Sequence, residues 1–239
     1  MERTTVFSSR IIENSLSYLR NKDTELPDFR KHADIISIGV GYQLAEIILP
    51  PLITRQIETP LMETSANFTD SSKFLFVAIL RSGYPLCRGI QTSFPDSKLA
   101  LVDIKRDEKT AKPKLNYNGL PADLDQYKII IPDPMLATGG SLSMAISELK
   151  MRGAKDITAG CIIAAPEGIS RINEDHPDVN IFTCAIDEGL NKVFYIYPGL
   201  GDFGDRYYGN TSPSFYDEIN QRTLKYQPDG TFYTLPGKI

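Results

Sequence analysis

Asp133 follows an apolar run directly, and Ser141 opens a helically spaced segment a few residues later. The stretch between and around them, IIIPDPMLATGGSLSMAI at 129–146, holds more than a plain turn needs. Gly139 and Gly140 let backbone N–H groups close around an anion without interference from a Cβ. Thr138 and Ser141 add hydroxyl donors. From Ser141 onward, Leu142, Ala145, Ile146 and Leu149 share one helical face. The start of such a helix offers unpaired N–H groups and about half a positive charge. Ala137 to Ser141 therefore read as a phosphate cradle between a strand and a helix. No Gly-Lys-Ser/Thr follows, so this is not a Walker loop. A carboxylate beside a phosphate is repelled unless it has another partner. Asp133 is suited to accept hydrogen bonds from sugar hydroxyls, and acid, loop and helix together read a ribose 5-phosphate.

Such a cradle needs a sheet edge to hold it. Short, nearly continuous apolar runs recur at 73–80, 98–104, 127–132, 156–165 and 179–186. They suit strands buried on both faces of a parallel sheet. Helical segments at 83–91, 141–152 and 167–174 separate them, the last with Pro166 at its first position. Two further helices are expected ahead of the sheet. One spans 8–21, with Ile11, Ile12, Leu16 and Leu19 in phase. The other spans 33–49, with Ile35, Ile36, Val40, Leu44, Ile47 and Ile48 on a broad face, and ends at Pro50-Pro51. The alternation predicts an α/β fold with a mostly parallel central sheet flanked by helices. Ligands in such folds sit at the carboxyl ends of the strands. The polar segment KRDEKTAKPKLNYNGLPADLDQ at 105–126 carries Pro, Gly and Asn-Gly signals and reads as a hairpin flap.

The 239 residues suffice for one large domain, and 41% hydrophobic with 23% charged residues is ordinary for a globular chain. The net charge of −4 argues against broad nucleic-acid binding. Cys87, Cys161 and Cys184 are odd in number and lack metal spacing, so they read as buried or idle thiols. MERTTVFSSR lacks the apolar core of a signal peptide, and no window reaches the ~20 apolar residues of a membrane span. The expectation is a cytoplasmic protein without membrane contact.

With DPMLATGGS intact, the chain resembles the type I phosphoribosyltransferases, and within them the uracil enzymes. Pro134 stands where the wider superfamily carries a second acid, as is typical of the uracil enzymes. The likeness runs from about residue 8 to 209. It includes LRNKDT near the start, ETP at 58–60, AILRSG at 78–83, RDE at 106–108, AAPEG at 164–168, HPDV at 176–179 and YIYPGLGDFGDRYYG at 195–209. Departures are Ser82 for Ala, Tyr84-Pro85 for a more flexible continuation, Lys105 for Tyr and Tyr197 for an aliphatic residue. None removes an expected phosphate or base contact.

The resemblance implies transfer of a phosphoribosyl group from 5-phosphoribosyl 1-diphosphate to uracil, giving UMP and diphosphate in pyrimidine salvage. The donor would lie along Asp133, Pro134, Met135, Leu136, Ala137, Thr138, Gly139, Gly140 and Ser141. Arg81 and Arg106 would take its diphosphate, a task arginine suits because it stays charged and binds phosphate at two points. Main-chain groups of Ile196, Gly201 and Phe203 would read uracil, with Asp202 touching both base and donor. Arg106, Asp133 and Asp202 are the expected catalytic residues. No residue is assigned as a metal ligand, because Mg²⁺ would be held mainly by diphosphate and ribose oxygens. The family also implies GTP as an allosteric activator and a homodimer or higher assembly. His32 and His176 lie outside every site motif. The organisation expected is one domain over 1–209, with a base-binding hood at about 187–209 and a C-terminal extension, 210–239, packed on the domain or a neighbour. The rival reading is a catalytically silent nucleotide-binding regulator on the same fold.

Overall fold

The computed structural model describes residues 3–106 and 113–210, with only the backbone at 104–106 and 113–118. The expected extension lies, from residue 211, outside the described residues, as do Lys109 and Lys112 of the flap. The first strand, β1 (Thr4–Val6), is followed by α1 (Arg10–Arg20), which Ser9 caps by accepting from the Ile12 N–H at 3.2 Å. Ile12, Leu16 and Leu19 face inward, whereas Ile11, expected on the same face, is 65% exposed. The next helix, α2 (Leu26–Ile48), begins seven residues earlier than its apolar periodicity suggests. Pro27 sits in its first turn, and Phe29 and His32 are the inward residues among polar neighbours that hide the pattern. Its buried stripe runs on through Ala33, Ile36, Val40 and Leu44. Ile47 is exposed and Ile35 and Ile48 only half-buried, so the face is narrower than expected.

A hairpin of β2 (Ile53–Glu58) and β3 (Glu63–Phe68) follows, closed by a turn in which Thr59 N donates to Met62 O. Both strands are mostly exposed, and their mixed polarity carries no strand signal. Then come β4 (Phe74–Ile79), α3 (Gly83–Gln91), β5 (Lys98–Arg106) and β6 (Pro113–Asn118). Strands β5 and β6 pair antiparallel, from Leu101 opposite Asn118 to Arg106 opposite Pro113. The chain is back on the core by Leu124, which is 1% exposed, short of the flap's expected end at 126. Next are β7 (Lys128–Pro132), β8 (Met135–Leu136), α4 (Gly140–Met151), β9 (Asp156–Gly160), β10 (Ile163–Ala164) and α5 (Pro166–Asp175). The last elements are β11 (Asn180–Thr183), β12 (Ala185–Ile186), β13 (Gly189–Leu190), β14 (Ile196–Tyr197) and α6 (Phe203–Tyr208).

Seven strands form the main sheet in the order β1-β11-β9-β7-β4-β5-β6, parallel except for β6. Two apolar runs that read as single strands are split. The 156–165 run leaves the main sheet after Gly160, and the 179–186 run leaves it after Thr183. Their ends re-form as β10 and β12, which join β8 in a small parallel sheet, β12-β10-β8. Burial is as complete in the second half of each run as in the first until Cys184, so hydrophobicity alone does not mark the crossing.

Strand β4 shows how the layers are made. Phe74, Phe76 and Ala78 pack with the residues of α1, α2 and α3, and Leu75, Val77 and Ile79 pack with those of α4. Each strand residue alternates between faces, so one apolar run supplies both cores. All three cysteines are buried and free, and burial pushes the thiols of Cys87 and Cys184 up to about 12. Among the described residues no helix is long and apolar enough to cross a membrane.

Candidate functional site

Helix α3 after β4 packs on one face of the sheet, and α4 after β7 packs on the other. Strands β4 and β7 are neighbours. The chain therefore turns opposite ways from two adjacent strands, which opens a crevice at their carboxyl ends. Asp133 leaves β7 there, and Arg81 leaves β4. The two loops approach closely at Gly83, where a Cβ would lie 2.6 Å from the carbonyl oxygen of Pro132. Any side chain at that position would separate them.

The strand, loop and helix expected here are present, with the short strand β8 between Asp133 and the loop and with α4 starting at Gly140, one residue before Ser141. Gly139 takes φ 72° ahead of the first turn of α4, a conformation that favours glycine. Thr138 Oγ1 accepts from the Gly140 N–H at 3.3 Å. Asp133 N donates to Gly160 O, and Met135 N donates to Asp133 Oδ1 at 3.3 Å. Burial pushes the Asp133 carboxyl up to about 6, only partly offset by the Met135 N–H.

Opposite the cradle stands the hood formed by β13, β14 and α6. Its last helix is capped by Asp202, which accepts from the Asp205 N–H at 2.8 Å. Two arginines tie it to the first helix. Arg20, at the end of α1, donates to Asp187 Oδ2 at 2.8 Å and to Gly199 O at 2.9 Å, and Asp187 also accepts from the Gly199 N–H. Arg206 donates to Leu19 O, to Leu200 O and to Asn21 O, with its guanidinium over the Phe29 ring. Neither role is visible as a pattern, because each joins residues more than 160 positions apart.

Cradle and hood enclose one pocket of about 400 Å³, a volume suited to a small ligand. From the cradle side Asp133, Met135, Ala137 and Ser141 line it, and from the hood side Ile196, Gly201, Asp202 and Phe203 do. Pro134, Leu136 and Gly139 are buried in the wall behind these residues, Gly140 is half-buried and Thr138 is exposed. The pocket also takes in Ser82, Phe194 and Tyr195, which the sequence reading did not single out as contacts. For Phe194 the only signal is an aromatic residue in a polar loop, held here at φ 65°.

Arg81 lies beside the pocket, while its neighbours Leu80 and Ser82 line it. The peptide bond before Arg81 is cis. Its guanidinium pairs with Asp205 at 3.3 Å and lies over the Tyr208 ring, whose hydroxyl donates to Arg81 O. Arg106 ends β5, which neighbours β4, so its backbone is at the same edge of the sheet. Its side chain lies outside the described residues. His32 stacks on Tyr18 and meets Ser15 Oγ, and burial lowers its pKa. His176 meets Ser143 and Ser147 on α4. Neither histidine lines the pocket.

Helix α5 supports the cradle from below through Gly168, where a Cβ would lie 2.4 Å from Ala137 O and 3.0 Å from Leu136 O. Backbone cannot retreat as a flexible side chain does. Gly168→Ala is expected to shift the cradle, raise the KM for the phosphorylated substrate about tenfold or more, and cost about 1–3 kcal/mol of stability. Steady-state kinetics and denaturant unfolding measure both effects.

Comparison with known proteins agrees with this geometry. A family model described as uracil phosphoribosyltransferase matches residues 6–210. A uracil phosphoribosyltransferase of Brevibacillus brevis is 41% identical over 209 residues, covering 87% of this chain and 99% of that protein. One from Streptococcus sanguinis is 42% identical over the same coverage. A solved protein of Aquifex aeolicus has a TM-score of 0.75 at 34% identity, covering 86% of this chain and 97% of its own. The adenine phosphoribosyltransferase of Trypanosoma brucei, solved with AMP, pyrophosphate and ribose 5-phosphate, shares the fold at a TM-score of 0.51 and 10% identity, with 78% and 84% covered. With a matching family model over most of its length and relatives near 41% identity, the chain belongs to the uracil phosphoribosyltransferase family.

Proposed function

We propose that this phosphoribosyltransferase seats the 5-phosphate and ribose of 5-phosphoribosyl 1-diphosphate on the cradle, holds uracil under the hood, and joins uracil N1 to C1′ with release of diphosphate. The observation that carries this reading is the meeting of cradle and hood on one pocket at the switch point between β4 and β7. Backbone N–H groups of 137–141 and the hydroxyls of Thr138 and Ser141 take the 5-phosphate. Asp133 accepts from the ribose hydroxyls. Arg81 and Arg106 take the diphosphate, with Pro134, Met135 and Leu136 forming the wall beneath the ribose. Breaking the anomeric C–O bond builds positive charge on the ring, and the half-buried Asp133 carboxylate is placed to stabilise it. Alignment does the rest, since the base and C1′ are held by opposite walls of one small pocket.

Uracil presents two carbonyl acceptors and one N3–H donor. Main-chain groups at Ile196, Gly201 and Phe203 match that pattern. Cytosine inverts it at two positions and leaves buried groups unpaired, a mismatch worth about 10⁴-fold in a closed site. Asp202 stands between base and donor. Its carboxylate and that of Asp133 are hard oxygen donors on the pocket wall, a set that fits Mg²⁺ brought in on the donor's own oxygens. When bound, the ion neutralises the diphosphate leaving group. The hairpin of β5 and β6 is the element that closes over the donor and excludes water. The chain works in pyrimidine salvage in the cytoplasm, as a homodimer or larger assembly, with GTP as activator.

The test is UMP formation from radiolabelled uracil, donor and Mg²⁺, with cytosine, orotate and purine bases in parallel, each with and without GTP. Product from uracil alone, lost in Arg106→Ala, is the expected result. Faster turnover with GTP supports activation, and an unchanged rate removes it. Donor binding without product from any base would overturn the assignment in favour of a silent nucleotide-binding regulator.

A further inference from the structure

The first turn of α5 touches both halves of the site. Gly168 carries the cradle from below, and Ala165 N donates to Leu136 O at 2.8 Å. Glu167, between them, reaches the other way. Its Oε1 accepts from the Leu190 N–H at 3.0 Å. Leu190 belongs to β13, and the residues on either side of that strand donate across the hairpin, Glu188 N to Tyr197 O and Asn191 N to Tyr195 O. The Leu190 N–H therefore points away from β14, as an edge donor that the hood itself leaves unmet. Glu167 meets it so closely that a Cβ on Gly189 would lie 2.9 Å from the same oxygen. Leu190 stands opposite Ile196 in the register of β13 and β14, and Ile196 lines the pocket. An acid in the first turn also favours the helix dipole, but that role needs no partner on the hood.

We propose that Glu167 is a positioning residue for the base: it pins β13 to α5 and so sets the height of the Ile196 main chain above the phosphate cradle. This rests on reading the hood as the uracil site. One short turn then fixes the spacing between the two substrates, because Gly168 and Glu167 hold cradle and hood to the same rigid helix. Donor binding is expected to change much less than uracil binding, since the Glu167 contact is to β13 and not to the cradle.

Three forms of the full chain test this: the parent, Glu167→Ala and Glu167→Gln, whose amide oxygen still accepts. In Glu167→Ala the KM for uracil is expected to rise about tenfold, with the donor KM and the melting temperature close to the parent's. Glu167→Gln is expected to stay within about threefold of the parent, because one neutral acceptor replaces a charged one. Hydrogen exchange at the Leu190 amide, read in the same proteins, should speed up in the Ala variant and not in the Gln variant. An unchanged uracil KM in Glu167→Ala, an equal rise in both KM values, or a Gln variant as impaired as Ala would each overturn the proposal. A parent chain that makes no UMP would sink the uracil reading instead, and Leu190 exchange would still decide whether Glu167 holds the hood.

Discussion

Replacing Asp133 with Asn is expected to slow UMP formation by about two to three orders of magnitude and yet make the free protein harder to unfold at neutral pH. Both effects come from one carboxylate at the end of β7. Its position beside the cradle suits it to accept from ribose hydroxyls and to face the charge that develops at C1′. An amide keeps the shape, lacks the charge and presents a donor where an acceptor is needed. The stability effect follows from burial, which raises the carboxyl from 3.8 to about 6. Between those two values the folded state holds more protons than the unfolded chain, so stability falls as pH rises. Above about pH 6 the cost of the buried charge is complete. A shift of that size amounts to about 3 kcal/mol. Asp133 keeps part of its surface open to the pocket, so about 1–2 kcal/mol is expected. Thermal unfolding at pH 8 and pH 4.5 checks the sign. The Asn variant should be the more stable at pH 8, and its advantage should shrink toward pH 4.5. The parent's turnover should in turn fall away on the acid side near pH 6, as the carboxyl takes up its proton. Equal melting temperatures at pH 8 would show that the carboxylate is better solvated than its burial implies.

Arg20→Ala is expected to cost about 3 kcal/mol and to loosen the hood, although Arg20 lies on α1 and does not line the pocket. Its partner Asp187 has a side chain only 3% exposed. Removing the guanidinium leaves that charge buried with the Gly199 N–H still donating to it, and also strips a donor from Gly199 O. Gly199 holds φ 67°, and a Cβ there would lie 2.1 Å from Ile196 O, so this turn sits directly against the strand proposed to read the base. Lysine is expected to rescue poorly, since a single ammonium cannot span the carboxylate and the carbonyl as a fork does. Denaturant unfolding of Arg20→Ala, Asp187→Ala and the double variant checks the coupling. The double variant should lose less than the sum of the two singles, because neither leaves the other's charge stranded. Additive losses would mean that the pair contributes separately and does not act as one clasp. The uracil KM should rise in each variant more than the donor KM does.

The cradle was legible because all its parts are local. Strand, acid, glycines, hydroxyls and helix follow within eighteen residues, and the chemistry of each is a property of its own backbone and side chain. The parallel sheet was legible for a similar reason: strands buried on both faces must be apolar throughout, so they announce themselves without partners. The reading of the hood as a uracil site came only through resemblance, since glycines and aromatic residues in a loop do not by themselves state a ligand.

Other features depend on what the chain meets in space. The β2–β3 hairpin carries no alternation because neither face is buried against the rest of the described residues strongly enough to require it. The start of α2 is hidden because Phe29 and His32 are inward among polar neighbours, and only the packing of Phe29 on Phe203 and Arg206 and of His32 on Tyr18 and Ser15 explains them. The two split strands keep their hydrophobicity across the crossing, so only pairing partners reveal that β10 and β12 belong to another sheet. The sequence by itself determined the parallel α/β core and the glycine-rich loop from strand to helix, because periodicity, glycine freedom and helix termini act over a few residues. The tertiary structure alone decided that Asp133 and Asp202 line the pocket while Arg20, Asp187, Arg206 and Glu167 hold its walls in shape, because Arg20 with Asp187, Arg206 with Leu19 and Glu167 with Leu190 are bonds that exist only once distant segments are folded together.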